Sequence, residues 1–206
     1  MSKDGAPDSD TLRFYAKTAA TYTASQSGDA SRHLAPFLAK LKPSARILEL
    51  GCGSGRDAQA MIAAGFNVDP TDGSAEMAKT AETRLNRPVR IMRFDELEAS
   101  NAYDAVWANA SLLHVPRETL PDILARIFKA LKPDGLHFAS YKAGTGEGRD
   151  QHGRYFNFPS RSELLNLYRQ SAGWNIETVE EQTGGSYGGE QVPWIAITAR
   201  KSKSKI

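Results

Sequence analysis

The chain has 206 residues, 40% of them hydrophobic and 24% charged, with a net charge of +2. That length suits one soluble globular domain with a sizeable core, and the charge balance gives no basic footprint for a nucleic-acid partner. The single cysteine, Cys52, excludes an intrachain disulfide framework and a cysteine-based zinc site, and fits a reducing compartment. No run reaches the ~20 apolar residues of a membrane helix, and the polar start lacks an apolar signal core. A cytoplasmic protein with no membrane insertion is expected.

Residues 1–10 read as a disordered lead, and residues 202–206 as a solvated basic tail. "DTLRFYAKTAATYTAS" predicts a helix that Asp10 or Thr11 would cap. "ASRHLAPFLAKL" predicts a second helix, ended by "KPS". "ARILELG" is a short apolar run into glycine and reads as a buried strand. A helix follows over "RDAQAMIAAG", with Gly65 past its end, and then a strand over "FNVDPTD". "SAEMAKTAETRL" is a helix with Ser74 as its cap, and "VRIMRFD" and "YDAVWANA" are the next two strands.

"RETLPDILARIFKALKPDG" reads as an amphipathic helix closed by Pro133 and Gly135, and "LHFASYK" as a fifth strand. The stretch from Lys142 to Pro159 shows no clear secondary structure, and loops that long are usually functional or disordered. "SRSELLNLYRQSAGW" carries a capping-box signature, serine with glutamate three residues on. "NIETVEEQ" and "WIAITARK" end the chain as an antiparallel pair. Strands alternate with helices from residue 46 to about 141, the signature of βαβ units and a doubly wound α/β sheet. A single domain therefore spans 11–201: a helical cap (11–44), a nucleotide-binding half (45–141), and an acceptor-side loop with the last strands (142–201).

The chemistry starts at "ILELGCGSGRDA", Ile47 to Ala58. Gly51 permits a tight exit from the strand, and Gly53 and Gly55 let the backbone approach a ligand. The following helix offers free N–H groups to an anion. Asp72 comes 21 residues after Gly51, close to the spacing of about 20 at which a ribose diol meets its acceptor. The loop lacks the Lys-Ser/Thr ending of a triphosphate site, and its G-x-G-x-G spacing is one residue shorter than the dinucleotide fingerprint.

"ILELGCGSG" followed by "DPTDGSAEMAKTA", then "FDELEASNAYDAVWANASLLHVP" and "ALKPDGLHFAS", resembles in order the motifs of class I S-adenosylmethionine-dependent methyltransferases. The likeness covers residues 11 to 200 and is greatest to small stand-alone members of the tellurite-resistance and ubiquinone-biosynthesis types. It implies a Rossmann-like, mostly parallel seven-stranded sheet with one antiparallel strand, N-terminal capping helices and an S-adenosylmethionine cofactor.

By position, Gly51, Cys52, Gly53 and Gly55 would wrap the methionine part of the donor, with Glu49 supporting the loop. Asp72 would accept from the ribose, Gly73 and Met77 would border the adenine, and Asp95 would sit near its amino group beside Phe94 and Glu96. Asn109 and Ala110 would line the methionine side, and Leu113 and His114 would lie near the transferred methyl.

Such transfer needs a nucleophile held in line with the methyl, without a triad or a metal. His114 is the candidate base or positioning group, because its side chain titrates in the useful range. Tyr15 and Tyr22 on the first helix would face the pocket, Tyr15 as a candidate catalytic group and Tyr22 against the substrate. Arg154 and Tyr155 are candidate acceptor contacts and point to a small anionic or aromatic acceptor. His137 and Trp194 are assigned to packing and His33 to solvent. The rival readings are an RNA or protein methyltransferase, a non-catalytic cofactor-binding module and an NAD-dependent oxidoreductase. Oligomeric state is not legible in the sequence.

Overall fold

The computed structural model describes residues 8–25 and 28–202. The chain opens with α1 (Ser9–Ser25), followed by a short α2 (Leu34–Leu38). Asp8 caps α1, its Oδ1 accepting from the Thr11 N–H at 2.9 Å. The helix thus starts earlier than expected and takes its cap from neither Asp10 nor Thr11; the rest of the expected lead lies outside the described residues. The second helix is shorter than expected because Pro36 has no N–H to donate and is tolerated only in the first turn.

The alternating section then runs β1 (Arg46–Leu50), α3 (Arg56–Ala63), β2 (Asn67–Asp72), α4 (Ala75–Leu85), β3 (Arg90–Ile91), β4 (Tyr103–Ala108), α5 (Leu120–Ala130) and β5 (Leu131–Lys142). Two differences from expectation have local causes. β3 is only two residues long, because the chain bends at Phe94–Glu96 into a 3-10 turn whose Glu96 side chain bonds back to the Arg93 N–H. α5 ends at Ala130 rather than near Gly135. Pro133 disfavours helical geometry just before it, and Leu131 already pairs with Tyr103 of β4.

A hairpin of β6 (Glu147–Arg149) and β7 (Tyr155–Asn157) occupies the stretch expected to lack structure. α6 (Arg161–Ser171), with its Ser160/Glu163 capping box, precedes the long pair β8 (Trp174–Gly185) and β9 (Gln191–Lys201).

The sheet order is β3-β2-β1-β4-β5-β9-β8, with β9 antiparallel to both neighbours and the first five strands parallel. Side chains alternate across it. Leu48 and Val106 point to the face covered by α5 and α6, and Ile47 and Trp107 to the face covered by α2 and α3. The order reverses between β1 and β4, so the carboxyl ends of these two strands open a crevice at the switch point.

Candidate functional site

Gly51, Gly53 and Gly55 all adopt positive φ, at 70°, 57° and 76°. Gly51 also has a steric reason: a Cβ there would lie 2.6 Å from Cβ of Ser111. Ser111 follows β4 and donates to the Leu50 carbonyl at 2.7 Å, which ties the loop to the switch point. The loop's free N–H groups are spent partly on Asp72. Its Oδ2 accepts from the Gly53 N–H and its Oδ1 from the Ser74 N–H, both at 2.9 Å. Burial nevertheless pushes the Asp72 carboxyl up to about 6, against the pull of those two N–H groups.

Behind the loop, Glu49 is buried, and its Oε2 has no hydrogen-bond partner among the described residues. Burial, then Asp57 and Asp72, raise its pKa well above the usual carboxylate range. Cys52 is buried, and burial raises its thiol as well. Gly55 caps α3 and packs against Ala81, outside the cavity.

In front of the loop lies a cavity with about 660 Å³ of empty volume. Gly51, Gly53, Asp72, Gly73, Met77 and Phe94 form its sheet side. Helix α1 closes the opposite side with Thr11, Leu12, Tyr15 and Tyr22. Asp95 does not line the cavity. Arg93, two residues before it, holds both of its carboxylate oxygens at 3.1 and 3.2 Å, and it is Arg93 that reaches the wall.

A second, wider space of about 1200 Å³ continues beyond the first. Tyr15, Tyr22, Ala110 and His114 border both spaces and form the partition. The Tyr15 hydroxyl donates to His114 Nε2 at 2.9 Å, and His114 Nδ1 lies 2.6 Å from the Tyr155 carbonyl oxygen. A carbonyl only accepts, so the proton of neutral His114 is on Nδ1. Burial pushes His114 down to about 4; the Tyr155 carbonyl opposes this, and Arg154 and Lys142 add to it.

Arg154 lines the wider space, but its guanidinium is engaged. Nε and Nη2 donate to Asp150 at 2.9 and 2.6 Å, and Nη1 reaches the Tyr15 hydroxyl at 3.4 Å. The group also sits over the rings of Phe14, Phe156 and Tyr187, about 5 Å from each centroid. It joins α1, β7 and the β8–β9 turn.

The Tyr155 side chain borders neither space and turns to Glu147. Only its backbone serves the site, through the carbonyl on His114 and an N–H donated to Thr11 at 2.8 Å. Asn109 and Leu113 face the wider space. Trp194 and His33, assigned above to packing and to solvent, also line it; His33 Nε2 meets Gln182 Nε2 at 3.0 Å. His137 is a packing residue as expected, buried between the Val106 carbonyl and the Tyr168 hydroxyl.

Sequence reasoning missed Leu12, Arg93 and Ser111 on the first space and Arg32, Ser140 and Lys142 on the second. Lys142 closes the fifth-strand motif, and its place at a strand's carboxyl end was the one available signal.

Residues 22–179 match the family model described as a methyltransferase domain. The chain belongs to that family. The methyl donor that the sequence resemblance implies is S-adenosylmethionine. Among curated relatives, a botryococcene C-methyltransferase of Botryococcus braunii is 31% identical over 59% of this chain and 33% of its own length. A ubiquinone biosynthesis O-methyltransferase of Xanthomonas axonopodis pv. citri is 34% identical over 50% of this chain and 45% of its own. The chain thus spans less than half the length of these relatives.

A solved Burkholderia thailandensis 1,6-didemethyltoxoflavin-N1-methyltransferase, with S-adenosylhomocysteine bound, superposes with TM-score 0.73 at 24% identity, covering 95% of this chain and 87% of that one. The fold is thus that of the methyltransferases. The site fits the donor: glycine Cβ atoms are absent where the loop faces the cavity, and the unpartnered Glu49 oxygen behind it suits an ammonium group. No helix among the described residues is long and apolar enough to cross a membrane.

Proposed function

We propose that the chain transfers a methyl group from S-adenosylmethionine to a small anionic acceptor. The observation that carries the reading is the pair of spaces meeting at Tyr15, Tyr22, Ala110 and His114. The glycine-loop space takes the donor and the wider space the acceptor. S-adenosylmethionine supplies an electrophilic methyl on a sulfonium whose leaving group is a neutral thioether.

The chain's own residues hold and orient. Asp72 accepts from the ribose, while Gly73, Met77 and Phe94 border the adenine. Gly51, Gly53 and Ala110 take the methionine end, and Glu49 attracts its ammonium from behind the loop. Proximity and alignment supply much of the rate in such a displacement. Tyr15 and His114 shape the partition, and Leu113, Asn109 and Tyr22 shape the acceptor side. The anionic preference is supported by Arg32, Arg56, Lys142 and Arg154 on the wall of the wider space.

The test is calorimetric titration with S-adenosylhomocysteine. The expected result is a single site, weakened by Asp72→Ala about tenfold or more, as for loss of a hydrogen bond to a charged group. An unchanged affinity in Asp72→Ala overturns the ribose assignment, and no binding to the unaltered protein overturns the function.

A further inference from the structure

The wider space contains four cations and, among the described residues lining it, no aspartate or glutamate. Arg154 is committed to Asp150 and Tyr15. The other three are available. Lys142 has no ion pair among the described residues, and its Nζ lies over the Phe156 ring at 4.3 Å. Arg32 is exposed on the wall. Arg56 has only a 3.7 Å contact to Asp57, and its buried Nε has no hydrogen-bond partner among the described residues. An orphaned buried donor is costly unless a ligand or water meets it.

Among the described residues of the same wall, no carboxylate and no histidine offers a free lone pair to take a proton. A base must reach the acceptor's proton with a free lone pair. His114 spends Nδ1 on the Tyr155 carbonyl and Nε2 on the Tyr15 hydroxyl. His33 is held by Gln182 through Nε2. Proton uptake by His114 would also place a third cation beside Arg154 and Lys142. Arrangements of this kind suit a nucleophile that arrives already ionised.

We infer that the reacting group is a carboxylate of a small polycarboxylic acid and that the product is its methyl ester. The inference rests on the reading of the two spaces as donor and acceptor sites. A lone pair of the carboxylate oxygen forms the new O–C bond as the S–C bond breaks, and the bonding pair stays on sulfur. The negative charge of the carboxylate and the positive charge of the sulfonium cancel, so no proton moves and no base is required. A second carboxylate on the acceptor pairs with Lys142, Arg56 and Arg32. Tyr15 and His114 are positioning residues that keep the partition rigid and neutral. The names of the similar proteins cover carbon, oxygen and nitrogen acceptors and include a trans-aconitate 2-methyltransferase of Deinococcus radiodurans, 33% identical over 46% of this chain and 37% of its own length, so taken together they do not choose one acceptor.

The experiment incubates the full chain with methyl-labelled S-adenosylmethionine and a panel of succinate, tricarballylate, catechol, thiophenol and aniline. Label transferred to a carboxylate is released as volatile methanol by alkali; label on a phenol, thiol or amine is not. The expected result is alkali-labile product from the polycarboxylates.

Lys142→Met should raise the KM for tricarballylate about tenfold or more, with Arg32→Gln giving a smaller rise, as for lost charge-assisted contacts. Calorimetric binding of tricarballylate to protein saturated with S-adenosylhomocysteine should weaken in parallel, a readout independent of turnover. Because the acceptor carboxylate is ionised throughout, kcat for tricarballylate should show no ascending limb between about pH 6.5 and 9, whereas a reaction that needs a general base rises through that base's pKa.

Alkali-stable product, or no carboxylate binding by a protein that does bind S-adenosylhomocysteine, overturns the inference and leaves the donor-site reading standing. Failure to bind S-adenosylhomocysteine overturns both.

Discussion

The Tyr15 hydroxyl donates to Nε2 of His114 at 2.9 Å, a bond that joins α1 to the turn after β4 across 99 residues of chain. His114 is buried and Tyr15 half-buried, so the bond is worth more when broken than when formed. Tyr15→Phe keeps the ring and leaves His114 Nε2 without a donor. The expected loss is about 1–3 kcal/mol of stability, the usual cost of an unsatisfied buried acceptor. Urea denaturation at neutral pH measures it, and a midpoint equal to that of the unaltered protein contradicts it.

Two buried histidines should work against the fold in acid from about pH 6.5 downward. His114 and His137 are both held down at about 4 by burial. The unfolded chain protonates its histidines near 6.5, so below that pH it takes up protons that the native state refuses. Stability is therefore lost as pH falls from about 6.5 to about 4, by about 3 kcal/mol for each histidine. Asp72 has the opposite sign: with its carboxyl raised to about 6, its native state binds a proton first, which offsets part of the loss between about 6 and 3.8. Glu49, which burial also raises well above the carboxylate range, shares the sign of Asp72, so the histidine share is read by difference: His137→Gln should reduce the fall in urea midpoint between pH 7 and 4.5.

Donor affinity should depend on pH through Asp72. The carboxylate form accepts from a ribose hydroxyl better than the neutral acid does. Binding of S-adenosylhomocysteine should therefore strengthen as pH rises through about 6 and level off above it. Asp72→Asn should flatten the curve. Calorimetry at pH 5, 6 and 7.5 distinguishes the two profiles.

Two glycines of the loop should respond differently to alanine. At Gly51 the new methyl meets Ser111 Cβ at 2.6 Å as well as an unfavourable φ of 70°. At Gly53 the nearest atom is the flexible end of Met77 at 3.7 Å, so only the φ cost remains. Gly53→Ala should cost about 1 kcal/mol and Gly51→Ala clearly more. Thermal denaturation of the two variants gives the order.

Arg154 should behave as a strut of the wall of the wider space. Arg154→Leu strands Asp150 and removes the cation shared by the rings of Phe14, Phe156 and Tyr187. A loss of about 2 kcal/mol or more is expected, since breaking a shielded pair leaves one charge uncompensated. Limited proteolysis should show faster cleavage in α1, and an unchanged cleavage pattern would contradict this role.

The glycine loop was legible because its information is local. Gly51, Gly53 and Gly55 are required by backbone angles within a few residues, and the Asp72 spacing follows from one strand–helix–strand unit. Asp95 shows the limit of transfer by position. A residue two places away, Arg93, captures its carboxylate and takes its place at the cavity. Tyr155 shows another limit. In β7 successive side chains alternate sides, so Phe156 turns inward beside His114 while Tyr155 faces Glu147. Its contribution to the site is a backbone carbonyl, which any residue type would provide.

The short hairpin β6–β7 was hidden for a related reason. Its strands are three residues each and contain glycine and polar residues, so neither shows a period. Pairing, and the packing of Arg154 against α1 and Tyr187, hold it in place.

The sequence by itself determined the alternating α/β order and the switch-point loop with its Asp72 partner, because each depends on contacts within one or two adjacent elements. Only the tertiary structure decided the wider space that is proposed to take the acceptor. Its walls come from α1, the end of β5, the β6–β7 hairpin and the β8–β9 turn, segments far apart in the chain. A net charge of +2 conceals a chamber lined, among the described residues, by cations without a carboxylate. Charge acts through distance in space, and folding sets those distances.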